Sequence, residues 1–123
     1  MIKGFVGTPL RMSPERCVVP DAMVSERPYQ HGLEVTDIPA VVIEVESPTD
    51  RFDEYDEIID KCFEYAAFGV PNIVVIDPDS RGQFVFHNEA LQSVPALIKL
   101  HLPMSNMDLT LPMDRIFETL DND

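Results

Sequence analysis

The stretch Ala40-Val41-Val42-Ile43-Glu44-Val45-Glu46 decides the fold. It is apolar and largely β-branched until its end, so it reads as a central strand covered on both faces that emerges at Glu44. Side chains two apart on a strand share a face, which puts Glu44 and Glu46 on one side. Two carboxylates held there need a cation, a hydrogen-bond network or a raised pKa. The alternative is that Glu44 lies past the covered part of the sheet and both acids are solvated.

Working downstream, Ser47-Pro48-Thr49-Asp50 is a helix-start signal, with Thr49 or Asp50 as the cap. Phe52, Tyr55, Ile59, Cys62 and Ala66 then follow helical spacing, and Gly69 with Pro71 beyond it ends the helix. Asn72 to Asp77 reads as a second buried strand, closed by the turn Asp77-Pro78-Asp79-Ser80-Arg81-Gly82. Gln83 to His87 is the return arm of that hairpin. Residues 94–102 and 107–111 are further strands, and Asp114 to Leu120 a short C-terminal helix. Upstream, Ile2 to Val6 reads as an edge strand followed by a turn at Gly7-Thr8-Pro9. Cys17-Val18-Val19 and Ala22-Met23-Val24 read as one strand, bulged or at an edge where Pro20 removes a donor. Residues 26–39 have no clean period and read as a loop. The order predicts an α/β (α+β) mixed β-sheet with one main helix on a face.

A chain of 123 residues accommodates one domain with a real core. No apolar run approaches the roughly 18 residues of a membrane span. No secretory leader is visible at Met1-Ile2-Lys3-Gly4-Phe5, so a cytoplasmic location with no membrane partner is expected. Cys17 and Cys62 belong to no CxxC pair, which excludes a zinc ribbon or a dithiol redox motif and makes them free core cysteines. The formal charge is −13, and the nine Lys and Arg are never adjacent. Such a surface opposes a polyanion, whose affinity comes largely from Lys and Arg on phosphates, yet it favours divalent cations.

The residues that carry chemistry are scattered. Asp21 follows Val18-Val19-Pro20, and alone a Pro-Asp pair is an ordinary turn. Lys61 lies mid-helix, flanking the core stripe beside Ile58 and Tyr65. Glu57, four residues earlier, offers it a surface ion pair. Asp77 reads as a turn residue. His31, His87 and His101 are dispersed, which speaks against a His metal site. Taken together, Asp21, Glu44, Glu46 and Lys61 suit a hard metal ion and a phosphate.

These residues also carry a resemblance. Pro20-Asp21, Ile43-Glu44-Val45-Glu46-Ser47-Pro48, Lys61-x3-Tyr65, Gly69-Val70-Pro71 and Ile76-Asp77-Pro78 occur in an order that resembles the Uma2 family, also called domain of unknown function 820. That family lies within the PD-(D/E)XK, restriction-endonuclease-like superfamily. The resemblance covers roughly residues 16–120, and its specificity lies in the order of the motifs. It implies a restriction-endonuclease-like core in a single domain over 1–123, with Mg2+ (or Mn2+) as cofactor. Asp21 matches the first Asp, Glu44 the central acid, and Lys61 the Lys carried by the following helix. Glu46 stands where the family often has an apolar residue, and some nucleases of the superfamily use Glu there. The implied catalytic set is Asp21, Glu44, Glu46 and Lys61, with Asp21, Glu44 and Glu46 on the metal. The family's N-terminal helical segment with a further Glu is expected to be missing here, and the spacing from Glu44 to Lys61 is longer than usual. The family analogy also implies a homodimer or larger homo-oligomer.

Two function classes follow. One is a metal-dependent endonuclease hydrolysing DNA phosphodiester bonds, which the retained Asp21, Glu44 and Lys61 favour. The other is a catalytically degenerate domain of the same fold acting as a protein-interaction or regulatory module, which the charge favours. A hydrolase of small phosphoesters fits the acidic surface but has no motif of its own.

Overall fold

In a computed structural model of the protein, residues 2–46, 52–95 and 97–112 are described. The expected cap at Thr49 or Asp50 and the expected helix from Asp114 to Leu120 lie outside the described residues. Thirteen elements follow in chain order: β1 (Lys3–Val6), β2 (Leu10–Ser13), β3 (Arg16–Val18), β4 (Ala22–Ser25), β5 (Gln30–His31), β6 (Glu34–Val35), β7 (Val41–Val45), α1 (Phe52–Phe68), β8 (Asn72–Ile76), β9 (Gln83–His87), β10 (Ala90–Ser93), β11 (Leu97–Leu102) and β12 (Met107–Pro112).

The main sheet has six strands in the order β1-β4-β7-β8-β9-β10. Only β7 and β8 are parallel, pairing Val41 with Asn72 through Val45 with Ile76. A parallel pair needs a long crossover, and α1 supplies it. Every other pairing in this sheet is antiparallel, so the fold is a mixed α+β sheet with one helix among the described residues.

Strand alternation sorts the core into two layers. Val42, Ile73 and Val75 face α1 and pack with its Ile58, Cys62 and Tyr65, together with Leu10 and Val35 of the small sheet β3-β2-β6-β5. Val41, Val74 and Ile76 face the other way, against Ile98, Leu100 and Leu102 of the β11–β12 ribbon. The central strands are covered on both faces, as their unbroken apolar runs require. Ile58 is fully buried, and truncating it to Ala should cost about 2–5 kcal/mol.

The helix ends where Gly69 takes a left-handed φ of 106°. The N–H groups of Gly69 and Val70 both return to the Tyr65 carbonyl, at 3.2 and 3.1 Å. A Cβ at Gly69 would come within 3.3 Å of Ile38 Cδ1, so glycine also keeps this corner tight.

Two expectations about the first forty residues change. The stretch 17–24 is two strands in two sheets. β3 joins the small sheet and β4 the main one, because Pro20 has no N–H to continue a ladder and the chain turns at Asp21. Residues 26–39 are not all loop: Gln30 pairs with Val35 and His31 with Glu34 around Gly32, making a short hairpin. β6 then pairs in parallel with β2 through Leu10 and Val35.

Candidate active site

The register of β4 on β7 sets the site. Ala22 pairs with Ile43, Met23 with Val42 and Val24 with Val41, so the next position in this register brings Asp21 opposite Glu44. The Val45 N–H donates to Asp21 Oδ2 at 2.7 Å, which fixes the first acid against the end of the strand that carries the second.

Glu44 is only 3% exposed, and the Tyr65 hydroxyl donates to its Oε1 at 2.6 Å. Burial pushes the Glu44 carboxyl up to about 7, the phenol opposes that rise, and the neighbouring Asp21 carboxylate adds to it. Two acids face each other here, with one phenol and the more distant Lys61 ammonium to stabilise charge. Lys61, one turn before Tyr65 on α1, reaches Glu46 Oε1 at 2.5 Å, so this cation pairs with the acid just past β7 and not with Glu57. Burial works against the Lys61 charge, but Glu46, Glu44 and Asp21 outweigh it and raise its pKa, so the ammonium stays charged. Cys62, on the same helix, is pushed up to about 12 by burial and then by Glu44 and Glu46. It is a core thiol and not a nucleophile.

The structure therefore brings Asp21, Glu44, Glu46 and Lys61 to the end of β7 in two pairs. Asp21 and Glu44 face each other, and Glu46 engages Lys61. The expected three-carboxylate cluster does not form: among the described residues no group of three or more His, Cys, Asp and Glu is gathered closely enough for a metal. The reason is electrostatic, since Glu46, past the end of β7, turns to the Lys61 ammonium beside it. The residue that sequence reasoning passed over as a site member is Tyr65. Its signal was its place one turn after Lys61 on the strand-facing side of α1.

Asp77 is fully buried and closes its own turn, accepting from the N–H groups of Asp79 (2.9 Å) and Ser80 (3.3 Å) and from Ser80 Oγ (2.8 Å). This is the expected turn role. His101 lies on the ribbon beside Asp108, at 3.1 Å, away from the β7 acids in the fold.

An oxygen-only pair of carboxylates fits a hard divalent cation, which takes one or two carboxylates and keeps water for the remaining positions. Glu44, buried beside a second acid, is short of the positive charge that such an ion brings.

Among the described residues no helix is long and apolar enough to cross a membrane. A comparison with curated proteins finds no match. Among solved structures, the chain is similar to one titled "Crystal structure of a putative nuclease belonging to DUF820 from Anabaena variabilis ATCC 29413". The two share 18% identity at a TM-score of 0.65, over 95% of this chain and 68% of that one, which is a likeness of fold. The model of the Uma2 family, described as "Putative restriction endonuclease", matches residues 3–115. With the family model matching nearly its whole length, this chain belongs to the Uma2 family.

Proposed function

We propose that the chain is a divalent-metal-dependent endonuclease that hydrolyses DNA phosphodiester bonds at the end of β7. The observation that carries this reading is the facing pair Asp21 and Glu44, one of them buried with its carboxyl pushed up to about 7, beside a charged lysine. The family description of a restriction endonuclease supports the reaction class.

Asp21 and Glu44 would hold Mg2+ or Mn2+. When bound, such an ion polarises the scissile phosphate and acidifies an attacking water. The chain's own groups prepare that site. The Val45 N–H holds one Asp21 oxygen and so orients the other. The Tyr65 hydroxyl fixes Glu44 in the same way. Lys61 presents an ammonium where charge builds on the phosphate oxygens, and Glu46 keeps that ammonium from swinging into water. Glu46 joins the ligand set only by releasing Lys61. A homodimer is part of the proposal, and light scattering at micromolar protein tests it against a mass of 13.9 kDa for one chain.

The test is incubation with plasmid, single-stranded DNA and RNA, with and without Mg2+ or Mn2+. Wild type should cleave DNA slowly, only with the ion. Asp21→Ala, Glu44→Ala and Lys61→Ala should each lower the rate by about 100-fold or more. Glu46→Ala should lose less, since it acts through Lys61. Unchanged cleavage in Glu44→Ala places the activity elsewhere. A second reading, a non-cleaving interaction domain, is favoured by the charge of −13. It takes over if wild type binds the ion and cleaves nothing.

A further inference from the structure

Among the described residues most cations are already used. Arg11 pairs with Glu34 at 2.7 Å, Arg16 with Glu64 at 2.7 Å, Lys61 with Glu46 at 2.5 Å, and Lys99 approaches Asp108 at 3.8 Å. Lys3 and Arg27 have no carboxylate partner among the described residues, and they share one open cleft of about 540 Å3 with Pro28 and Tyr29. In a chain of charge −13, two cations with no carboxylate partner among the described residues, gathered in one cleft, need an explanation.

The fold builds this cleft from fixed parts. Lys3 pairs in register with Ser25, so β1 and the end of β4 bring Lys3 near Arg27. The Lys3 ammonium rests 5.0 Å from the centre of the Phe5 ring. The Tyr29 main chain is pinned on both sides: its N–H donates to Asp37 Oδ1 at 3.0 Å, and its carbonyl accepts from the Thr36 N–H at 2.8 Å. The residue is nevertheless 69% exposed, an aromatic side chain on a pinned main chain. Glu26, adjacent in sequence, does not neutralise the cleft. It turns inward to the N–H groups of Met104 and Ser105, at 3.0 and 2.7 Å. Asp37 is the acid held against this segment, and its Oδ1 is occupied by the Tyr29 N–H.

We infer that this cleft is a nucleic-acid subsite: Lys3 and Arg27 hold a backbone phosphate, and an unstacked base lies on the Tyr29 ring. Cations tracking a phosphate backbone beside an aromatic platform are the chemistry by which single strands are held without sequence preference. The inference rests on the nuclease reading and deepens it by naming where a flanking strand is gripped. The cleft begins at the end of β4 away from Asp21, with Lys3 opposite Ser25, roughly 14 Å along the strand from Asp21 by the ordinary rise per residue, and Arg27 to Tyr29 beyond it. It therefore holds a nucleotide away from the scissile phosphate. It supplies the phosphate contacts that the acidic surface otherwise withholds.

The test is fluorescence anisotropy with a labelled twelve-nucleotide oligo-dT in EDTA, so that binding is read without cleavage. The paired variant Lys3→Gln with Arg27→Gln should weaken binding by about tenfold or more and flatten the salt dependence of log K by about 1.4, near 0.7 per cation for a single strand. Tyr29→Ala should weaken binding about tenfold with the salt slope unchanged. Lys99→Gln, an exposed cation outside the cleft, should change neither beyond twofold. All four side chains are exposed, so folding is not at stake, and melting curves check it. The inference is overturned if wild type does not bind the oligonucleotide, if the cleft variants bind as wild type does, or if Lys99→Gln loses as much as they do. Failure here and failure of the nuclease reading separate cleanly. Binding through the cleft with no cleavage removes the nuclease reading alone. Cleavage whose KM is unchanged in the cleft variants removes the subsite alone.

Discussion

Two buried glutamates in this protein have opposite fates. Glu26 is 5% exposed and Glu44 is 3% exposed. Burial alone would raise both. For Glu26 that rise is outweighed by the backbone N–H groups of Ser105 and Met104, and its carboxyl ends below the ordinary value. For Glu44 burial wins: the Tyr65 phenol and, less, the Lys61 ammonium oppose it, a second carboxylate reinforces it, and the carboxyl climbs to about 7. The first acid is given its donors by the fold and staples the β11–β12 turn to the end of β4. The second is given another acid. A structural carboxylate is built with its partners, whereas one built to take a cation is left short of one.

The comparison breaks most visibly in activity. Glu44→Gln keeps the shape and removes the charge, and it should cut metal-dependent DNA cleavage by about 100-fold or more. Glu26→Gln should stay within twofold in the same assay. Equal losses would mean that both residues act through stability alone.

Stability against pH sharpens the contrast. Between about 4.5 and 7 folded Glu44 keeps a proton that the unfolded chain has lost, so its contribution falls as pH rises through that window. In EDTA, Glu44→Gln should therefore be more stable than wild type at pH 8, by up to about 3 kcal/mol, and the two should converge below about pH 4. Urea melts across that range check this. Glu26→Ala should move the other way, losing about 1–2 kcal/mol at neutral pH as the Met104 and Ser105 N–H groups lose their acceptor. The smallest effect belongs to Tyr65→Phe. Removing the hydroxyl that faces Glu44 should cost about 1 kcal/mol at pH 8 in EDTA, with less cost below about pH 4, where Glu44 is neutral in both states.

The pieces legible in the sequence are those with a long, single pattern. The apolar runs 40–46 and 72–77, the helix from Phe52 and the stop at Gly69 all became elements at those places, because burial on one or both faces leaves a period behind. The stripe on the helix was read off centre: the structure buries Ile58, Cys62 and Tyr65, and leaves Ile59 half-buried and Ala66 exposed. β5 and β6, two residues each, are too short to show one. β2 and β10 went unread because Leu10-Arg11-Met12-Ser13 and Ala90-Leu91-Gln92-Ser93 are half-covered and mixed. The meeting of Asp21, Glu44 and Lys61 was legible through motif order. The way they pair was not. That Glu46 takes Lys61 and Tyr65 takes Glu44 depends on the rotation of α1 over β7, and helical spacing gives a face and not a partner.

The central claim is that Asp21 and Glu44 together form a divalent-cation site. Thermal melting at pH 8 with Mn2+ added from zero to millimolar concentration tests it most directly. A cation bound only by the folded state adds about 2.7 kcal/mol at a hundred times its dissociation constant. Wild type should show a saturating rise in melting temperature, and Asp21→Asn should show none over the same range. An equal rise in both proteins would mean that the ion screens a surface of charge −13 and does not occupy this pair, and the account of the site would be wrong.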